Sequence, residues 1–506
     1  MIRPPLPAEL GPDAAGSPTR FGGGVDLDAK FLDRLSGACA KVDDSASARV
    51  MAGRDWWPLS VQWAVEGINP ALPAAVATPG DAAQVSAVLN LCNEARVPVV
   101  PFAGRSGVCG GSVPVFGGVS LDLTGLTGIA DVDDASLLVD VRAGTFGDEF
   151  EETLRASHSM TGGHWPQSIA LSTVGGWVAC RGAGQYSTRY GKIEDMVSGL
   201  EVVLADGSIV HTGGKAPRAA TGPDLTQIFV GSEGTLGVVT RVLLRVHPLP
   251  PAERRAAFGF SRFHQGLEAC RLILRRGATP AVLRLYDPTE SERNFEISDT
   301  AVLIAIDEGD RSLIDSVMKV VEEECVSAGA DALDEALCAQ WLEHRNNVPP
   351  LESLARGGIV ADTVEIAARW SALPAIYHQS ITRLGEIQGT LAASAHESHA
   401  YTDGACLYFT FAGRPDGEGL EPKERYYRAA FDAITSATED NGGAISHHHG
   451  IGLNRAPYLE HHLGPAFDIL AKLKAFLDPN GILNPGKLHL PSPFGERWPL
   501  EAAPKT

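Results

Sequence analysis

Apolar residues mark out elements of both periodicities along the chain. Ala75-Val-Ala77 reads as a short strand, and Pro79-Gly-Asp81 is a helix-start signal. Val85, Val88, Leu89 and Cys92 then recur at helical spacing, which gives one apolar stripe to lay on a sheet. Val97-Pro-Val-Val100 reads as a buried strand, so 75–100 forms a β-α-β unit. Strands with turns follow at 119–123 and 137–142, then a helix over 146–157 and a strand from Leu200 into the turn at Gly207. Beyond 258, strands at Val282–Tyr286, 301–306 and 405–411 alternate with amphipathic helices. Ile314, Val317, Met318, Val321 and Cys325 predict one helix closed by Gly329, and Ala466, Leu470, Leu473 and Leu477 predict another near the C-terminus.

Between the apolar runs lie three segments rich in glycine and small polar residues. The first is Pro101-Phe-Ala-Gly-Arg-Ser-Gly-Val-Cys-Gly-Gly-Ser112. Gly104, Gly107 and Gly110 fall every third residue, which is not the dinucleotide-binding G-x-G-x-x-G, and a strand rather than a helix follows. A phosphate would therefore sit on a loop between strands, held by successive backbone N–H groups. The others are 164–177 and 229–239. One such loop is ordinary, but three in one domain predict a long ligand lined by backbone.

Length and composition set the frame. A chain of 506 residues exceeds the ~300 at which single cores stop growing, so more than one domain is expected. The reading divides it into a leader and packing segment (1–70), a ligand-binding domain (71–249), a cap domain (250–440), a returning segment (441–490) and a tail (491–506). Asp55, Trp56, Trp57, Pro58 and Trp63 read as packing anchors, and the first residues as a disordered leader without a signal peptide's apolar core. No apolar run reaches the ~20 residues that span a bilayer. Eight cysteines without a C-x-x-C pair predict neither a disulfide framework nor a zinc knuckle, and a cytoplasmic setting fits. A net charge of −20 argues against nucleic acid as a partner and requires any anionic substrate to find locally gathered arginines.

Three polar features can carry chemistry. His447, His448 and His449 are consecutive, and an extended backbone would put the first and third on one side and His448 on the other. They could be a solvated run, a metal pair, or imidazoles lining a pocket as acid/base groups. No carboxylate or cysteine at ligand spacing completes a set, so no metal is expected. Tyr401 stands before an apolar strand, where a neighbouring cation could lower its pKa for proton transfer, although packing is the commoner role of such a residue. Arg284 is mid-strand between Leu283 and Leu285 and, if buried, needs a carboxylate or phosphate partner.

Together, Ser172-Thr-Val-Gly-Gly-Trp177, Tyr190-Gly-Lys-Ile-Glu-Asp195, Gly231-Ser-Glu-Gly-Thr-Leu-Gly237, Tyr401-Thr-Asp-Gly-Ala-Cys406 and His447-His-His-Gly-Ile-Gly452 resemble the vanillyl-alcohol-oxidase (PCMH-type) flavoproteins. Within that family the chain is most similar to the alkyldihydroxyacetonephosphate synthases and their bacterial relatives, over 73–488. The resemblance implies an α+β, two-domain PCMH-type FAD-binding fold with a mixed α/β cap. It places Pro101, Phe102, Ala103, Gly104, Arg105, Ser106 and Gly107 around the FAD pyrophosphate. The rest of the cofactor would be lined by Gln167, Ser168, Ile169, Ala170, Leu171, Ser172 and Thr173, by Cys180, Arg181, Gly182 and Ala183, and by Glu233, Gly234, Thr235, Leu236, Gly237, Val238 and Val239. Tyr401 matches the family's proton donor and acceptor, and Arg284 and the three histidines match positions needed for activity. Some relatives attach flavin through a histidine in the first loop; the counterpart here is Cys109, so the FAD is expected to be non-covalent. Arg105 puts a bulky cation beside the pyrophosphate. Where relatives hold the substrate's acidic group with an arginine, Pro350-Leu-Glu-Ser353 presents Glu352, whose repulsion would cost several kcal/mol in a poorly solvated pocket. Arg345, Arg356 or Arg369 would then have to substitute.

Three functions follow from the resemblance. The first is an FAD-dependent oxidoreductase that takes hydride from a small hydroxy acid or alcohol, with Tyr401 and histidine as acid/base and O2 or an electron carrier as acceptor. The second is a synthase-like non-redox flavoenzyme that exchanges an acyl group for a fatty alcohol through a bond to flavin N5. The third is a flavin-binding protein without catalysis, which Tyr401 and the histidine run disfavour. A homodimer is possible.

Overall fold

The structure is a computed structural model that describes residues 6–348 and 351–497. Residues 1–5 of the expected leader, Pro350, and the tail beyond 497 lie outside the described residues. The fold is α+β and is built on three main sheets.

The first sheet has strand order Lys41–Asp43, Ala75–Thr78, Val119–Asp122, Val99–Phe102, the last three mutually parallel. Parallel strands need a crossover, and the helix Ala82–Ala95 carries the chain from Ala75–Thr78 to Val99–Phe102, between which Val119–Asp122 later inserts. The Asp81 side chain caps that helix by accepting from Gln84 N, and Val85, Val88, Leu89 and Cys92 are buried against the sheet. The second sheet is antiparallel, in the order Ile129–Asp133, Leu138–Arg142, Val238–Arg245, Val197–Val203, Ile209–Gly213. Helices Gly147–His158 and Val174–Cys180 lie in its core through Phe150, Leu154, Trp177 and Val178.

The third sheet has seven antiparallel strands: Asp331–Leu333, Ala252–Phe260, Ala301–Gly309, Val282–Tyr286, Thr390–Ala400, Gly404–Gly413, Val360–Arg369. Period-2 alternation gives this sheet two different faces. Leu283, Leu285, Leu407, Phe409, Val364 and Ile366 point into a core shared with helices Phe263–Arg275, Arg311–Ser327, Leu373–Glu386 and Leu420–Asp440. Arg284, Tyr286, His396, Ser398, Tyr408, Thr410 and Thr363 line a cavity on the other side. Four of the seven strands, those at 252–260, 331–333, 360–369 and 390–400, are absent from the sequence reading, the three longer ones because their charged and histidine positions break the alternation expected of strands.

The chain then returns to the first two sheets. Lys474, on helix Ala466–Leu477, is buried and donates to Thr235 O, Leu483 O and the Asp478 carboxylate at 2.8, 2.7 and 2.5 Å. Val99 N donates to Ile482 O at 2.8 Å. At the other end of the chain, residues 6–8 do not form a loose leader: Leu6 and Ala8 are buried, and Arg54 donates to Ala8 O at 2.7 Å.

Candidate active site

A cavity of about 1110 Å³ lies between the glycine-rich loops and the polar face of the seven-stranded sheet. Its first wall is backbone. Pro101, Phe102, Ala103, Gly104, Arg105, Ser106 and Gly107 all line it, as do Gln167, Ser168, Leu171, Ser172 and Thr173. Cys180, Gly182 and Ala183 join them, with Glu233, Gly234, Gly237, Val238 and Val239. Five candidates do not. Ile169 and Leu236 are buried in the core of the second sheet, and Thr235 spends its hydroxyl on Ser232 O. Arg181 caps a helix in the left-handed region and pairs with Glu194, and Ala170 is outside the lining.

The glycines are of two kinds. A Cβ on Gly104 would fall 1.9 Å from Leu171 O, and one on Gly234 would fall 2.4 Å from Pro101 Cγ, so these positions press the loops together. At Gly107 and Gly182 the nearest protein atoms would be 3.5 Å away, so both leave open backbone facing the cavity. Buried polar atoms on the same wall, namely Ser112 Oγ, Asp55 Oδ2 and both ring nitrogens of His164, have no partner among the described residues. Such atoms call for a polar ligand. An extended dinucleotide fits this set, since its hydroxyls can donate to Asp55 Oδ2 and its oxygens can accept from Ser112 Oγ and the open loop amides. Arg105 turns aside: its guanidinium bonds Met51 O and lies 5.7 Å from the Phe102 ring centroid. The stretch 55–58 does more than pack. Trp57 is buried, but Asp55, Trp56 and Pro58 line the cavity, and Trp56 N bonds Gly107 O at 3.0 Å.

The opposite wall gathers imidazoles and arginines, with the Glu290 carboxylate 3.5 Å from His396 Nδ1. Among the described residues Arg284 has no carboxylate partner. Its Nε donates to Tyr286 Oη at 2.8 Å and its Nη2 meets His396 Nε2 at 2.5 Å. Burial, then the charge of Arg284, pushes His396 down to about 4, so a neutral ring accepts from the guanidinium. Arg345 lies 4.8 Å from both the Trp165 and Tyr186 ring centroids, and its buried Nη1 has no hydrogen-bond partner among the described residues. Arg369 is exposed at the end of its strand and does not line the cavity. Glu352 is no obstacle to an anion: its carboxylate accepts from Ala8 N at 2.7 Å and pairs with Arg356, outside the lining.

The histidine run is a bend, not a strand. The buried Glu365 carboxylate accepts from His448 N at 3.1 Å, His449 N at 2.6 Å and Ser446 Oγ at 2.9 Å. Arg455, itself buried, neutralises it at 2.5 Å. This folding brings His447 Nδ1 within 2.9 Å of His448 Nδ1. His448, His449 and, unforeseen from sequence, His399 and Tyr408 line the cavity; Tyr401 and His447 do not. Tyr401 Oη sits 3.0 Å from His447 Nε2 and 2.9 Å from Ser187 Oγ. No cation lowers its pKa: Lys192 lies 4.8 Å from the ring centroid, and burial pushes the phenol well up. Burial pushes His447 down to about 4 and holds His399 and His448 well below the usual range, so the rings are neutral.

Donor atoms of His399, Cys406, His447 and His448 lie within 4.8 Å of one another, a gathering that sequence spacing does not reveal because the first two come from the hairpin 390–413. The His447 and His448 nitrogens are, however, closer than the ~3.3 Å that separates tetrahedral ligands each ~2.0 Å from zinc. A shared proton accounts for their contact.

Comparison with known proteins agrees with this geometry. Residues 73–213 match the FAD binding domain family, and residues 249–488 match the FAD linked oxidases, C-terminal domain. The chain is 32% identical over 438 residues to the uncharacterised FAD-linked oxidoreductase YgcU of Escherichia coli (strain K12), covering 83% of this chain and 89% of YgcU. It is 29% identical over 463 residues to the glycolate oxidase subunit GlcD of Bacillus subtilis (strain 168), covering 88% of this chain and 93% of GlcD. A solved structure of an alkyldihydroxyacetonephosphate synthase superposes with a TM-score of 0.78 at 24% identity, over 96% of this chain and 89% of that one.

Proposed function

The chain belongs to the FAD-linked oxidases, and from that premise we propose that it oxidises a small hydroxy acid or alcohol with non-covalently held FAD. The observation that carries this reading is the wall opposite the glycine loops, where Arg284 stands beside the neutral His396 and Arg345 stands among aromatic rings, neither with a carboxylate partner among the described residues. The loops 101–107, 167–173 and 233–239, with Ser112, would hold the FAD through main-chain amides and hydroxyls. Bound FAD supplies a two-electron acceptor for hydride from the substrate carbon. Arg345, caged by aromatic rings with a free Nη1, takes the substrate's acidic group, and Arg284 steadies negative charge developing on its oxygen. His448 or His399 accepts the hydroxyl proton, since each is neutral and lines the cavity. The electron acceptor is O2 or an electron carrier. Anaerobic mixing of the FAD-loaded protein with 2-hydroxy acids and alcohols tests the reading. Bleaching of oxidised flavin by at least one class is expected, and no bleaching by any rejects it.

One observation favours a second reading. Leu351, Leu354, Ala361, Ala392, Phe411 and Ala412 give the same cavity an apolar limb that suits an alkyl chain, as a synthase-like exchange would need. Exchange of a labelled acyl chain without net flavin reduction would support it.

A further inference from the structure

Resting on the oxidoreductase reading, we propose that Glu233 is a positioning residue: its carboxylate fixes where the histidine bend stands relative to the glycine-loop wall. Glu233 lines the cavity, but its side chain is committed to backbone. Oε1 accepts from Ile451 N at 2.5 Å and Oε2 from Gly452 N at 2.8 Å. Glu365, on strand Val360–Arg369 of the opposite wall, accepts from His448 N and His449 N at 3.1 and 2.6 Å. One carboxylate from each wall therefore grips the bend, on either side of Gly450. Beyond Gly452 the row continues, with Leu453 N and Asn454 N donating to Cys109 O at 2.8 and 3.0 Å.

The contact is built rather than incidental. Glu233 is held at φ +49°, in the left-handed region, which a residue other than glycine occupies only where its surroundings impose it. A Cβ on Gly450 would fall 2.6 Å from Glu233 Oε1, so the bend makes room for that carboxylate by lacking a side chain there. Asn484 Nδ2 pins the loop from behind, donating to Glu233 O at 2.7 Å and to Gly111 O at 3.0 Å. The consequence for the reaction is geometric. His448 rides on the bend, and the His399 ring packs on those of His447 and His448 with centroids 4.8 and 4.9 Å away, so either candidate proton acceptor follows it. The substrate's acidic group is taken by Arg345, which ends helix Ala336–His344 and belongs to a different segment. Glu233 thus governs how the acceptor meets the substrate hydroxyl, not how tightly the substrate binds, and a displacement of ~1 Å in such a group costs ~100-fold in rate.

The test separates positioning from cofactor binding and from folding. Glu233→Gln keeps the side chain's length and one acceptor, but turns an amino group toward the second N–H. With FAD and substrate both saturating, we expect flavin reduction at least ~10-fold slower, with KM for a 2-hydroxy acid within ~2-fold of wild type. Glu233→Ala, which loses both bonds, should be slower again, so that Gln is a partial rescue. In the apoprotein, Glu233→Gln should speed hydrogen exchange at the Ile451 and Gly452 amides and shift the ¹⁵N ring signals of His448, although the carboxylate bonds only backbone. A Glu233→Gln enzyme that binds FAD weakly yet is reduced at the wild-type rate once saturated would make Glu233 a cofactor contact and overturn the proposal. Unchanged exchange and histidine spectra would overturn it too. If no substrate reduces even the wild type, the oxidoreductase reading fails instead, and the apoprotein measurements still decide whether Glu233 sets the bend. Should Glu233→Ala not fold, Glu233→Gln carries the test alone.

Discussion

Gly107→Ala separates the ligand cradle from the fold that carries it. Gly107 lines the cavity, and a Cβ there would meet nothing nearer than Asp55 Oδ2 at 3.5 Å, an ordinary contact. The unliganded chain should therefore accept the methyl, and could gain ~0.4–1 kcal/mol from a less flexible unfolded state. With FAD present the methyl occupies the space through which backbone amides approach the pyrophosphate. Losing one charge-assisted hydrogen bond costs ~1.5–3 kcal/mol, a roughly 10- to 100-fold weaker Kd. Gly104→Ala is the contrast: its Cβ would lie 1.9 Å from Leu171 O, so the fold itself must yield with or without FAD. Calorimetric titration of apoprotein with FAD, alongside apoprotein melting, distinguishes the two. Gly107→Ala should melt like wild type and bind FAD weakly, and Gly104→Ala should melt early. A Gly107→Ala protein that binds FAD as tightly as wild type would refute the proposed role of this loop.

Other outcomes follow from the same geometry. Glu365→Gln leaves Arg455 buried without its counter-charge and weakens the anchor of the histidine bend, so unfolding should become easier by ~3–5 kcal/mol in denaturant titrations. Burial pushes Asp362 up to about 7, above the ordinary 3.8, so its favourable contribution exists at low pH and is lost as pH rises through about 7. Between about pH 5 and pH 8.5, Asp362→Asn should therefore gain on wild type by up to ~3 kcal/mol, and an unchanged difference would disprove the assignment. Arg345→Met should raise KM for hydroxy acids at least ~10-fold while sparing neutral alcohols, as steady-state kinetics on both classes will report. Treatment with a strong chelator should leave substrate-driven flavin reduction intact; a loss restored by zinc would make His399, Cys406, His447 and His448 ligands instead of proton carriers.

Much of the backbone wall was legible because its signal is local. Gly104, Gly107 and the loops near 170 and 235 announce close approach by composition, and these loops do line the cavity. The β-α-β unit was equally plain, since Val85, Val88, Leu89 and Cys92 have no task but burial. The opposite wall was obscure for the converse reason. Strand Thr390–Ala400 gives its cavity-facing positions to His396, Ser398 and His399, polar residues that spoil a strand's apolar signature. Partnerships across long separations, such as Glu365 beneath His448 and His449 or Ala8 on Glu352, leave no trace in spacing. Tyr401 stood out as a phenol before an apolar strand, but its distance from the cavity wall depends on His447 standing in between, which only the bend at 446–450 determines.

The central claim is that FAD stretched along the glycine loops turns its reactive ring toward the arginine and histidine wall. A crystal structure of the FAD-loaded protein with a 2-hydroxy acid bound under anaerobic conditions tests it most directly. The account predicts the substrate carboxylate on Arg345 and its hydroxyl within hydrogen-bond distance of His448 or His399, between that wall and the flavin. A flavin ring facing elsewhere, or a substrate hydroxyl bonded directly to Tyr401, would contradict it.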